Sequence, residues 1–435
     1  MTTFYIGATI IFFLAILHTF LSPEIHQWAV RMRMKQVSHP YKWRFYYFLS
    51  EFLKINSEVE VIFAAWLIPL FLWATPFIGW SGIQEYFTGR DYTFALYMMV
   101  IVVVIGSRPI ISFTERILEW FARIGKDTGG AWWWAIMTVG PFLGSVLKEP
   151  GAMALCAILL TKKFFPYLPS RRFQYATFGL LMANISVGGL LSPYSSRALF
   201  IPAKLWEWDV SYMFSRFGWK VIVGMVFVNL TYYLIFRKEL KENFPAKIPT
   251  FEKEEESVPT PFWITAVHLL FVIGISTFSL SPIVFISLFV IFLGFYQVTK
   301  FYQAKLHLKR AALAGIFFTS LIMHGELQGW WVLPLLRDFG EGIKTLSSFV
   351  LSGFMDNAIV NYLAVQIPNI APHGQYLLVA SAMSAGGLTV IANVANPIGL
   401  TIVRHSFCEE VYFSKLFLAA LFPSLTYFAI FLIFQ

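Results

Sequence analysis

Apolar segments recur along this chain at residues 3–21, 60–79, 93–112, 131–161, 173–206, 218–236, 261–279, 283–299, 311–336, 345–367, 375–403 and 414–434. At least nine of them run to about 18 residues or more, enough for a helix to cross a hydrocarbon core roughly 30 Å thick. Backbone inside that core must satisfy its own hydrogen bonds, and runs of this length do so as helices. The pattern therefore predicts an all-α polytopic membrane protein. Composition agrees, with 57% hydrophobic and only 13% charged residues, where a soluble domain carries about 25% charged. The first segment lacks a basic flank and a small-residue cleavage site, so it reads as a span rather than a signal peptide. Cys156 and Cys408 are too few for a disulfide framework or a metal site. Cys156 reads as a small core residue.

The Lys and Arg residues orient the chain. Loops 22–58, 108–130, 162–172, 237–260, 300–310 and 404–415 hold 25 of the 33, and these loops are expected on the cytoplasmic side. They account for the net charge of +9 without invoking nucleic acid, for which no soluble basic domain is present. Loops 80–92, 204–220, 280–282, 337–344 and 368–374 hold six more. The two left over, Lys148 and Arg197, fall inside apolar segments. Residues 131–161 have basic loops at both ends, so they begin and end on one side. They are too many for a single crossing of about 20 residues and too few for two crossings of about 40. A re-entrant hairpin fits them, with Lys148-Glu149-Pro150 at a tip near Gly144–Gly151. Two short spans are the alternative.

Two stretches are hydrophilic. Residues 22–58 include HQWAVRMRMKQVSHPYKWRF, an amphipathic, basic and aromatic stretch suited to membrane lipid at the interface. Residues 237–260 mix charge and proline and read as a cytoplasmic linker between two halves, 1–236 and 261–435. The halves show a repeat. SVLKE (145–149) is matched by SGFMD (352–356), and SVGGL (186–190) by SAGGL (384–388), in the same order and with a helix breaker after each second match. Each half reads as five spans and one hairpin, at 131–161 and 345–367. Five crossings is an odd number, so the two repeats are inverted, the plan of many secondary transporters.

Broken helices carry the chemistry. Residues 173–206 are expected to break at Ser192–Ser196, and residues 375–403 around Asn393–Pro397. Unwinding frees carbonyls that coordinate a cation. Ser145, Ser192, Ser195, Asn357, Asn393 and Asn396 add hard-oxygen or hydrogen-bonding groups, which suit an alkali cation rather than zinc or copper.

These residues carry a resemblance. GPFLGSVLKEPGAMALCAILL, SGFMDNAIVNYL and GGLTVIANVANPIGL, with EVEVIFAAW near the second span, together resemble the putative Na⁺/H⁺ antiporter family of the ion transporter superfamily. Arsenite permeases, NhaD-type antiporters and sodium-coupled dicarboxylate carriers are its more distant relatives. The resemblance covers most of the chain. It implies paired hairpins, cation/proton exchange and often a homodimer moving by an elevator mechanism. Carried over by position, the hairpin acid falls on Glu149, the second hairpin's Asp-Asn on Asp356 and Asn357, and the second break on Asn393, Asn396 and Pro397.

Glu149 and Asp356 are the leading ion- and proton-binding candidates, because an exchanger needs a carboxylate for which cation and proton compete. Their plainer reading is structural ion pairing, for example of Glu149 with Lys148 or Arg197. Lys148 and Arg197 are counter-charges or anion-binding groups, and the latter role would make the protein a sodium- or proton-coupled anion transporter. His324 and Glu326 are candidates for a proton relay, or else hydrogen-bonded structural residues. Glu58 and Glu60 are expected to be solvated at a span's edge, and Trp132-Trp133-Trp134 to anchor the interface. No G-x-x-x-x-G-K-[ST] or H-E-x-x-H occurs, which argues against ATP drive and against a zinc enzyme. The expected protein is a multi-pass secondary transporter of a bacterial inner or plasma membrane, without cofactor, carrying Na⁺ (or another monovalent cation) and H⁺.

Overall fold

A computed structural model of the chain describes residues 2–167, 169–245, 248, 259–407 and 411–435. Every regular element among them is helical. Cys408 and residues 246–247 and 249–258 of the expected linker lie outside the described residues. The linker's first residues continue the helix Trp219–Glu242.

Four single helices are long and apolar enough to cross a membrane: Thr2–Phe20, Val59–Thr88, Val210–Glu242 and Phe413–Ile433. Helices Thr93–Ile105 and Arg108–Gly125 form a fifth if counted as one span bent by 73°. Most other apolar segments are divided into shorter helices, because glycine, proline or a charge interrupts them. The stretch 22–58 folds as two helices, Ser22–Ser38 and Trp43–Ile55, packed on each other, with Trp28, Trp43, Phe45, Phe48 and Phe52 exposed.

The core sits on two helices that are buried almost all round, Arg171–Gly188 and Pro372–Ala385. A helix apolar on every side belongs inside a larger structure. They cross where a Cβ on Gly387 would overlap the Ala183 backbone, so only glycine permits this approach. The second half also packs closely on the first. Ala395–Val403 lies on Gly144–Lys163, Asn357–Ala364 on Arg197–Leu205, and Phe413–Ile433 on Arg171–Gly188.

Two expectations about aromatic and acidic residues change. Trp132 and Trp133 are fully buried. Trp133 Nε1 donates to Thr177 Oγ1 at 3.1 Å, and Lys163 Nζ lies 4.3 Å from the Trp132 ring centroid. They are core residues rather than interfacial anchors, because the helix Gly129–Phe142 is covered by its neighbours. Glu60 is buried too, and accepts a hydrogen bond from Thr401 Oγ1.

Candidate functional site: two broken segments

The first broken segment begins with Gly129–Phe142 and runs into Gly144–Lys163, which is interrupted at Lys148 (φ 63°, ψ 156°). Positive φ is uncommon for a residue with a side chain. Here it ends one helix and lets the next begin at Glu149-Pro150, where proline suits a first turn that has no amide partner to lose. Lys148, Glu149 and Pro150, three polar or helix-breaking residues in an apolar run, thus make the turn. The second broken segment pairs Glu341–Phe354 with Asn357–Ala364, and the chain is extended at Met355 and Asp356. Asp356 is the N-cap, its Oδ1 accepting from Ala358 N at 2.7 Å. The interruptions thus fall at matching places in SVLKE and SGFMD.

Each turn is held by an unwound stretch. Glu149 N donates to Ser195 O at 3.1 Å, and Asn357 N donates to Ala392 O at 3.0 Å. The first unwound stretch lies where expected, between a short 3₁₀ turn at Gly189–Leu191 and the helix Arg197–Leu205. The second lies earlier than expected, from Gly386 to Val394. Asn396 and Pro397 belong to the helix Ala395–Val403, because a proline in a first turn starts a helix rather than breaking one.

Around the first turn, Glu149 Oε2 accepts from Asn393 Nδ2 at 2.9 Å, a bond between the two halves. Asn393 is itself fixed, its Oδ1 accepting from Ala395 N at 2.8 Å. Glu149 Oε1 and Ser195 Oγ both face the Cβ-less side of Gly189, 2.7 and 2.8 Å from where a Cβ would stand. The Ser196 hydroxyl stands beside the same carboxylate without meeting hydrogen-bond geometry. Around the second turn, Asn357 Nδ2 donates to Met383 Sδ at 3.6 Å, and Asn396 Nδ2 is shared between Gly386 O and Thr389 O, each at 2.8 Å. Among the described residues, six buried oxygens at the two turns have no hydrogen-bond partner within the protein: Glu149 Oε1, Ser195 Oγ, Ser196 Oγ, Ser352 Oγ, Asp356 Oδ2 and Asn396 Oδ1. Glu149 and Asp356 are within electrostatic reach of each other. Unpaired acceptors of this kind, buried together, are costly unless a proton or cation meets them.

The remaining candidates divide. Ser145 Oγ donates to Gly188 O at 3.1 Å, and Ser192 Oγ accepts from Tyr194 N at 3.2 Å, so both brace the unwound stretch. Lys148 turns away from Glu149 and donates to Tyr194 O at 2.7 Å. Arg197 lies within electrostatic reach of Asp356 and Glu326 and 5.7 Å from the Phe318 ring. The alternative reading of Glu149, an ion pair with Lys148 or Arg197, is not what the structure shows: its partner is the Asn393 amide. Lys148, Arg197, Ser145 and Ser196 line a cavity of about 560 Å³ that opens beside Asp91 and Ser279, next to the loops poor in Lys and Arg.

His324 and Glu326 do not stand together. His324 Nε2 meets Phe63 O at 3.2 Å, with its ring against Phe12 and Phe63. Glu326 pairs with Arg90 at 2.8 Å near the surface. Sequence reasoning passed over Ser352, which occupies the position of Ser145 in the repeated motif, and Gly189, whose missing side chain makes room for Glu149. The repeat itself was the signal for the first, and the SVGGL match for the second.

Buried carboxylates at breaks in apolar helices are the kind of group that lines ion pathways in membrane proteins. The chain matches the family described as Putative Na⁺/H⁺ antiporter over residues 3–434, and it belongs to that family. No curated protein matches it. Membership places it among membrane transporters of the antiporter kind.

Proposed function

We propose that the protein exchanges Na⁺, or another monovalent cation, for H⁺, with Glu149 and Asp356 alternating between protonated and cation-bound forms. The observation that carries this reading is the pair of buried carboxylates, each with one partnered and one unpartnered oxygen, at turns braced by unwound backbone. A bound cation would take the open oxygens together with Ser195, Ser352, Asn396 and freed carbonyls, and a proton would take the same carboxylate oxygen in its absence. Burial in low dielectric makes a bare carboxylate unfavourable, so one occupant always replaces the other. The matched motifs support two inverted repeats with re-entrant hairpins at 131–161 and 345–367. On this reading the hairpins and broken helices move as one body against the outer spans, as an elevator within a homodimer in a bacterial inner membrane, without a cofactor.

A second reading, coupled transport of a small anion, is favoured by one observation: Lys148 and Arg197 both line the 560 Å³ cavity. The test for both is proton flux in proteoliposomes with an imposed pH gradient and a trapped pH dye. Dissipation by Na⁺, Li⁺ or K⁺ but not choline, lost in Glu149→Gln and Asp356→Asn, supports exchange. No cation-driven flux in correctly inserted protein refutes it, and Arg197→Gln and Lys148→Gln are then assayed for anion uptake.

A further inference from the structure

Glu60 is the second residue of the helix Val59–Thr88, at the end of a span that adjoins the basic loops. A carboxylate there is expected in solvent, yet Glu60 is 6% exposed. It accepts from Thr401 Oγ1, 341 positions away. Thr401 belongs to Ala395–Val403, the helix that follows Asn393, the residue bonded to Glu149. A cavity of about 520 Å³ reaches Glu60 and Thr401 from the basic face. A second, of about 30 Å³ and thus room for roughly one water, is lined by the same two residues and by Ala154, Ile158 and Ile398. Ala154 is five residues along its helix from Glu149, about 7.5 Å of rise. Glu60 and Thr401 therefore stand between an open vestibule and the interior.

The surroundings select the ion. Sharing the cavities with Glu60 are Lys54 and Glu58 from the preceding helix and loop, His26 from Ser22–Ser38, Lys309 from Leu308–Glu326, Arg404 and His405 beyond Thr401, and His307 at the small cavity. Arg404 is within electrostatic reach of Glu60 and lies 3.4 Å from His26 Nδ1, which meets Ser57 Oγ at 3.1 Å. A rim with three fixed positive charges and one negative repels an alkali cation. A proton passes it along hydroxyls, imidazoles and water.

We propose that Glu60 is a second proton-exchange site, through which protons pass between the basic face and the interior, with Thr401 as its positioning residue. A proton from the vestibule binds a Glu60 oxygen and leaves through the small cavity towards Glu149 as the cation departs; the reverse cycle runs the same path backwards. The inference rests on the exchange reading above.

The test uses the full-length protein. In proteoliposomes, Glu60→Gln is expected to lower cation-driven proton flux at least tenfold, while isotopic Na⁺/Na⁺ exchange, which needs no proton, persists; Glu149→Gln loses both. Thr401→Val is expected to shift the pH profile of the flux, and Thr401→Ser to restore it. In pH-jump infrared difference spectra, Glu60→Gln should remove one titrating carboxyl band that Glu149→Gln keeps. Wild-type flux and pH profile in Glu60→Gln, loss of both exchange modes together, or an unchanged infrared spectrum each overturn the proposal. If the wild type shows no cation-driven flux, it is the exchange reading that fails, and the infrared band alone then decides whether Glu60 titrates.

Discussion

Gly189→Ala tests the geometry of the first turn most sharply. Gly189 has φ −68°, so alanine fits the backbone without strain. Its Cβ would stand 2.7 Å from Glu149 Oε1 and 2.8 Å from Ser195 Oγ, where ordinary contact begins at 3.4 Å. Both atoms are the ends of side chains and can yield, so the fold survives while the carboxylate oxygen retreats by roughly 0.7 Å. A hard cation sits about 2.4 Å from a carboxylate oxygen. At an effective dielectric of about 20, lengthening that contact by ~0.7 Å forfeits about 1.5 kcal/mol, slightly more than tenfold in affinity. The assay is the cation concentration for half-maximal flux, measured beside the thermal midpoint of the purified protein. The expected result is a rise of about tenfold in that concentration with little change in midpoint. An unchanged half-maximal concentration in well-folded Gly189→Ala would show that Oε1 does not meet the cation.

Other substitutions separate chemistry from structure. Asp356→Asn should abolish cation-driven flux yet keep the protein folded, since asparagine caps a helix as well as aspartate does, whereas Asp356→Ala should cost a further ~1 kcal/mol in denaturant unfolding. Asn393→Ala leaves Glu149 Oε2 buried without its donor, and is expected to lower stability by about 1–3 kcal/mol and to lose flux. Glu326→Gln breaks a partly exposed ion pair with Arg90; it should change stability by less than ~1 kcal/mol and leave flux within twofold, and a larger loss of flux would restore Glu326 to the proton path.

The positions of helices and breaks were largely legible in the sequence. The apolar segment 414–434 is the helix Phe413–Ile433, and the charge beside Pro150 marks a true interruption. Such features depend on residues near each other in the chain. Partner choice was not legible, because it depends on how distant helices cross. Nothing local says that Lys148 reaches the Tyr194 carbonyl, that an amide 244 positions away holds Glu149, or that Glu60 is covered by Thr401. The second break was misplaced for a different reason: Pro397 reads equally as the end of one helix or the start of another, and the glycines at 386–387 decide it.

The fixed orientation of Asn393 bears on how transport feels membrane voltage. Its carbonyl is tied to Ala395 N, so only its NH₂ can face Glu149 Oε2. A proton on Oε1 leaves Oε2 as the carbonyl oxygen, the better acceptor for that NH₂, and so Oε1 is the favoured site for the proton. That is also the oxygen left open to a cation. On the exchange reading, one atom holds either a proton or one monovalent ion and never both, so the loaded carboxylate carries the same net charge in each direction of travel. Exchange at Glu149 then moves no net charge across the membrane, and the same holds for Asp356, whose Oδ1 is partnered and whose Oδ2 is open.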